Sequence, residues 1–63
     1  MNVEFEVKSV IRNGDIRKPN EIAERIMKFT TYSKENILKA LQQGGKPADI
    51  YLYLFRLTRQ MKK

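Results

Sequence analysis

The sequence predicts a mostly α chain in which a short N-terminal β-hairpin precedes three helices, a class that becomes α+β if the hairpin forms. Three observations carry this expectation. Pro19, Ser33 and Pro47 each stand where a helix can begin, because proline suits the first helical position and serine the N-cap. Apolar residues after each of them recur every three or four positions, the period of a half-buried helix. Asn13-Gly14, between two short apolar runs, is the residue pair that a two-residue hairpin turn favours. The 63 residues form one domain, small enough to bury only ~60% of the surface exposed by the unfolded chain.

Residues 1–18 admit two readings. Phe5 and Val7 alternate with Glu4, Glu6 and Lys8 as in a strand, and Val10-Ile11-Arg12 can pair with Ile16-Arg17 across a type I′ turn at Asn13-Gly14. The competing reading is a first helix that ends at Gly14, since Val7, Val10 and Ile11 also share one helical face. A hairpin of this size must pack on the helices to persist.

Residues 19–29 read as a helix opened by Pro19, with Glu21 facing the positive end of its dipole. Ile22, Ala23, Ile26, Met27 and Phe29 fall on one broad arc, and Glu21, Glu24, Arg25 and Lys28 fall opposite. Residues 33–43 form the next helix, capped by Ser33 and stopped by Gly44-Gly45, which accept left-handed backbone. Its apolar stripe is Ile37, Leu38 and Leu41 with Ala40 beside it, which leaves Glu35, Asn36, Lys39, Gln42 and Gln43 on the outer arc. Residues 47–62 follow as a C-terminal helix with Ile50, Tyr53, Leu54, Leu57 and Met61 along one stripe. A strand over Ile50–Leu57 is disfavoured because no turn residue follows Ala48 to fold it back. Tyr51, Leu52 and Phe55 project well away from the stripe, so either the hairpin or another chain must cover them.

Composition narrows the chemistry. Thirteen Lys and Arg against seven Asp and Glu give a net charge of +6, with no His and no Cys. A field of that sign attracts phosphate polymers, acidic proteins or anionic headgroups. Disulfides, thiolate nucleophiles, Cys-type zinc sites and imidazole bases are all ruled out. The carboxylates are scattered without a base–nucleophile pair, so the expectation is no enzyme, no catalytic residue, no metal and no cofactor. Gly44-Gly45-Lys46 is not a phosphate loop, because the earlier glycine and the following Ser or Thr are missing and Pro47 comes next. Met1–Arg12 lacks the apolar core of a signal peptide, and Ile50–Phe55 is far shorter than the ~20 residues that cross a bilayer. The expectation is a cytoplasmic protein with no membrane partner.

Glu21-Ile22-Ala23-Glu24-Arg25-Ile26 resembles the first helix of helix-turn-helix DNA-binding domains, where a small residue lets the next helix approach closely. The resemblance covers about half the chain. It departs from the family at Met27-Lys28, where a turn glycine is common, and in the long Phe29-Thr30-Thr31-Tyr32 connection. It implies a small DNA-binding regulator of transcription that contacts duplex DNA through residues 33–43. On that reading Asn36 and Gln43 bond adenine edges, Lys39 reaches guanine or phosphate, and Ser33 and Lys34 hold a phosphate at the helix N-terminus. Arg12, Arg17 and Lys18 form a second phosphate-contacting set, and Arg56, Arg59, Lys62 and Lys63 a third.

The rival function is a protein-interaction module, a small inhibitor or adaptor that docks an acidic partner through Tyr51, Leu52 and Phe55 with the basic tail as its rim. On the DNA-binding reading the same patch joins two copies through the C-terminal helix, a homodimer that also doubles the phosphate contacts. Single-stranded RNA, stacked on Tyr32, Tyr51 or Tyr53, is a third possibility, and Tyr53 is expected in the core.

Overall fold

The computed structural model describes residues 2–60, and within them the chain is four helices without a strand. They are α1 (Val3–Asn13), α2 (Pro19–Met27), α3 (Lys34–Gln43) and α4 (Pro47–Gln60). Each helix packs on the next in sequence, and α4 returns to α1, so the contacts form a closed ring. All four supply the core. Val7 and Ile11 meet Ile22, Ala23 and Ile26 from α2, Ile37, Ala40 and Leu41 from α3, and Ile50 and Leu54 from α4. Burial of this apolar surface drives the assembly at about 25 cal/mol per Å².

The N-terminal hairpin is the main correction. Residues 3–13 are helical, and the helical period of Val7, Val10 and Ile11 wins over the alternation of Phe5 and Val7. A strand would place Phe5 and Val7 on one face, yet Phe5 is 67% exposed and Val7 is 0% exposed. Asn2 starts the helix, its side-chain oxygen accepting the Phe5 amide at 3.2 Å, and Glu4 and Glu6 face the positive dipole end.

Gly14 is therefore not a turn glycine. Its φ of −80° and ψ of 166° are extended values open to any residue, unlike the two positive φ values of a type I′ turn. Its role is steric. A Cβ at Gly14 would stand 2.7 Å from Cγ1 of Ile22 and 2.9 Å from the Val10 carbonyl oxygen, so the absent side chain lets α2 close on the end of α1. Ile16-Arg17, expected as the second strand, lies in the connection that follows. There the Asp15 carboxylate accepts the Arg17 amide at 2.9 Å and its guanidinium at 3.2 and 3.3 Å. This is an Asx-type turn, and the Arg17 hydrogen bonds hold the Asp15 carboxyl below its usual range.

α2 begins at Pro19 as expected but closes at Met27, short of Phe29. The last amides bond three residues back, Lys28 to the Arg25 carbonyl and Phe29 to the Ile26 carbonyl, each at 3.3 Å. The Thr30 hydroxyl also donates to the Ile26 carbonyl at 2.8 Å, which completes the helix end. Met27, expected on the buried arc, sits at its edge and is exposed.

α3 matches its expected limits. Ser33 Oγ accepts the Asn36 amide at 3.2 Å, and Gly44 and Gly45 adopt φ of 74° and 95°. α4 is a helix, as the absence of turn residues required, with Ile50 and Leu54 in the core and Tyr53 and Leu57 half-buried. The expectations at Met61, Lys62 and Lys63 lie outside the described residues. Among the described residues, no helix is long and apolar enough to cross a membrane.

Candidate functional site

Two surfaces compete, and both descend from helix periodicity. The first is the outer face of α3 with the α1–α2 corner. Its base-reading set is altered by one residue: Asn36, expected on the exposed arc, is 6% exposed. Asn36 and Ala40 are four apart and stack on one face, and the fully buried Ala40 lets neighbouring helices approach closely enough to cover Asn36 one turn earlier. An amide in that position cannot reach a base edge without the fold opening.

Three cations of this surface, Lys34, Lys39 and Arg17, are matched with carboxylates. Lys34 Nζ lies 3.5 Å from Glu24 of α2, and Lys39 Nζ lies 3.6 Å from Glu35 one turn back. Arg17 is taken up by Asp15 at 3.2 Å. Ser33 spends its Oγ on the α3 cap. Gln43, Arg12 and Lys18 remain exposed, and neither Arg12 nor Lys18 makes an ion pair among the described residues.

The fold draws part of this set together. One groove is lined by Arg12, Ile16, Gly45 and Pro47, and a second by Ile16, Pro19, Leu41 and Gln42. The α1–α2 corner thus sits beside the C-terminal end of α3, at Leu41 and Gln42. Ser33 and Lys34 belong to the opposite end of that helix, against Glu24. Ile16 is an exposed apolar residue at this corner that the hairpin expectation obscured.

The second surface is the flank of α4 against α1. Leu52 is 48% exposed and Phe55 40% exposed, with Tyr51 half-buried beside them. α1 forms one wall but does not cover the patch: Glu4 and Lys8 face Ala48, Tyr51, Leu52 and Phe55 across a groove of about 390 Å³. The two wall charges neutralise each other, Lys8 Nζ lying 2.6 Å from Glu4. Phe5 and Val3, also exposed, add apolar surface to α1.

The aromatic residues of this groove are organised. The rings of Tyr51 and Phe55 are stacked with centroids 6.3 Å apart and 24° between planes. The Arg59 guanidinium lies over the Phe55 ring at 5.7 Å, a cation–π arrangement. Tyr32 lies near Tyr51, and its phenol is pushed up to about 12 by burial first and by the neighbouring Tyr51 hydroxyl second. The Phe55–Arg59 contact was signalled by its four-residue spacing on one helix. The proximity of Tyr32 to Tyr51 brings the α2–α3 connection against α4, and no local pattern announces it.

Among the described residues, no group of three His, Cys, Asp or Glu side chains could hold a metal ion. Comparison of the chain with protein-family models, with curated proteins and with solved structures finds no match. The class that fold and surfaces define is a small basic four-helix domain with an open aromatic groove.

Proposed function

We propose that the protein is a docking module that binds another protein through the α1–α4 groove. The observation that carries this reading is the exposure of Leu52 and Phe55 beside the stacked Tyr51 ring on a helix whose opposite stripe already fills the core. A contiguous apolar patch of large side chains rimmed by arginine has the composition of a protein interface core. Arginine and aromatic residues are also the types that concentrate binding energy.

A second reading, duplex DNA binding by a regulator of helix-turn-helix type, is favoured by one observation. Arg12, Lys18, Arg25, Lys28 and Lys46 make no ion pair among the described residues, which leaves them available to phosphate. Exposed pairs such as Lys34–Glu24 and Lys39–Glu35 are worth at most about 1 kcal/mol, so phosphate can displace their carboxylates. The reading ranks second because Asn36 is buried and the α3 cations are balanced locally.

One experiment separates the two. A photo-crosslinking amino acid is placed at Leu52 or at Gln42 of the full chain in its host cell, and adducts are compared. The docking reading expects a discrete protein adduct from position 52 and none from position 42. Nucleic-acid adducts from position 42, with an in vitro affinity for duplex DNA that falls by about 0.9 log units per phosphate contact for each log unit of salt, would replace it with the second reading.

A further inference from the structure

The groove is asymmetric in charge, and this identifies the kind of partner it fits. We infer that it receives an acidic amphipathic helix of another protein, laid along α4; this rests on the docking reading above. Ala48, Tyr51, Phe55 and Arg59 follow one another at three- and four-residue steps along α4, with Leu52 next to Tyr51 and three residues before Phe55. The strip from 48 to 59 runs about 16 Å at ~1.5 Å per residue. That length accommodates about three turns of a partner helix, whose anchors at i, i+3 or i+4 and i+7 would enter beside the rings. The receiving surface is partly preorganised, because Tyr51 is half-buried and stacked on Phe55, and the Arg59 guanidinium lies over the Phe55 ring. Side chains already fixed lose less entropy on binding.

Charge selects the occupant. On the α1 wall, Glu4 is neutralised by Lys8. On the α4 side, Arg56 and Arg59 are exposed, and neither makes an ion pair among the described residues. Asp49, also exposed and without an ion pair among the described residues, stands at the N-terminal end of this face, so the positive charge is concentrated at the C-terminal end of the strip, where carboxylates flanking the anchors of a partner helix complement it. A second copy of this chain is the poorer occupant, because it carries the same net charge of +6 and two chains of one sign repel.

The test uses two synthetic helical peptides of about sixteen residues with leucine anchors at i, i+4, i+7 and i+11. Glutamate fills the other positions of one, and lysine those of its counterpart. Each is titrated into the isotope-labelled full chain. The glutamate peptide is expected to shift the amides of Tyr51, Leu52, Phe55 and Arg59, and the lysine peptide to leave them in place. Replacing Arg56→Glu together with Arg59→Glu should weaken the glutamate peptide at least about tenfold, a loss of 1.4 kcal/mol or more. Leu52→Glu should abolish binding; Leu52 is outside the core, so its helical signal and melting serve as the folding control.

Equal binding of both peptides, binding of neither, or indifference to the arginine reversal overturns the inference. So does a dimer in sedimentation that Leu52→Glu dissolves, since the occupant is then a second copy. If the peptides fail while protein adducts still form from position 52, the docking reading survives and only the acidic helix falls. If both fail, both fall.

Discussion

Replacing Gly14 with alanine isolates the feature that makes the N-terminal segment a helix packed on α2. The added methyl would sit 2.7 Å from Cγ1 and 3.0 Å from Cδ1 of Ile22, and 2.9 Å from the Val10 carbonyl oxygen. Favourable carbon–carbon contact lies near 3.5–4.0 Å, so the overlap is roughly 0.5–1 Å. Little nearby can yield: Ile22 is 2% exposed, and the Val10 oxygen is fixed by the Gly14 amide at 2.9 Å. Overpacking of this kind costs about 1–3 kcal/mol. The smaller entropy of unfolded alanine returns about 0.4–1 kcal/mol, because the native φ of −80° suits it. The net expectation is a loss of about 1–2 kcal/mol, and in a domain this small each kcal/mol lowers Tm by about 4–8 °C. Thermal melting followed by circular dichroism reads this directly. Ile22→Ala, costly alone at about 2–5 kcal/mol, should cost less in the Gly14→Ala background because it removes the clashing atoms. A Gly14→Ala protein as stable as the parent, or strict additivity with Ile22→Ala, would refute the close-approach account.

Asn13→Ala asks the same question from the other side of the junction: at the last position of a helix it should be neutral or stabilise by up to about 0.5 kcal/mol in denaturant titration, whereas a type I′ turn would lose a residue suited to positive φ. Asn36→Ala should destabilise by about 1–3 kcal/mol, because it removes a buried amide and leaves its partner groups unsatisfied; an unchanged unfolding midpoint would return Asn36 to the exposed face. Stability should fall as pH rises from about 10 to 12. The Tyr32 phenol keeps its proton to about 12 in the folded chain and loses it near 10 when unfolded, so the contribution is complete below pH 10 and lost through that window. Tyr32→Phe should flatten this part of the profile in pH-dependent melts, and an identical profile would deny the burial of the Tyr32 phenol its role.

The helices from Pro19 onward were legible because each carries its own boundary chemistry. Pro19 and Pro47 open helices, Ser33 caps one, and Gly44 and Gly45 end it in left-handed backbone. These are interactions within a few residues, so they can be read along the chain. The first eighteen residues carry two compatible local patterns, and their outcome was decided at a distance. Nothing near Gly14 in sequence announces that Ile22 will press against it, and without that contact Asn13-Gly14 is indistinguishable from a hairpin turn. The cap at Asn2 was the local clue favouring a helix, since its side chain accepts the Phe5 amide.

The surfaces follow the same division. That Tyr51, Leu52 and Phe55 would lie off the core stripe is a consequence of helical angle alone, and Leu52 and Phe55 are exposed accordingly. The fate of Asn36 depended on which edge of the α3 stripe the neighbouring helices would cover. Ala40 lies on the same edge as Asn36, and a small residue there marks the closest approach, so the buried arc extends over both. That one extension removes an amide from the face expected to read bases. Lys34 is then tied across to α2 and Lys39 along α3. On α4 the opposite happens: the core takes Ile50 and Leu54, α1 stops at the groove edge, and arginine is left above an exposed ring. Helix packing thus draws Asn36 inside and matches Lys34 and Lys39 with carboxylates, while it leaves Leu52 and Phe55 of α4 exposed. Unsatisfied apolar surface is what association with another protein removes from water, and this places the stronger claim to function on the α1–α4 groove.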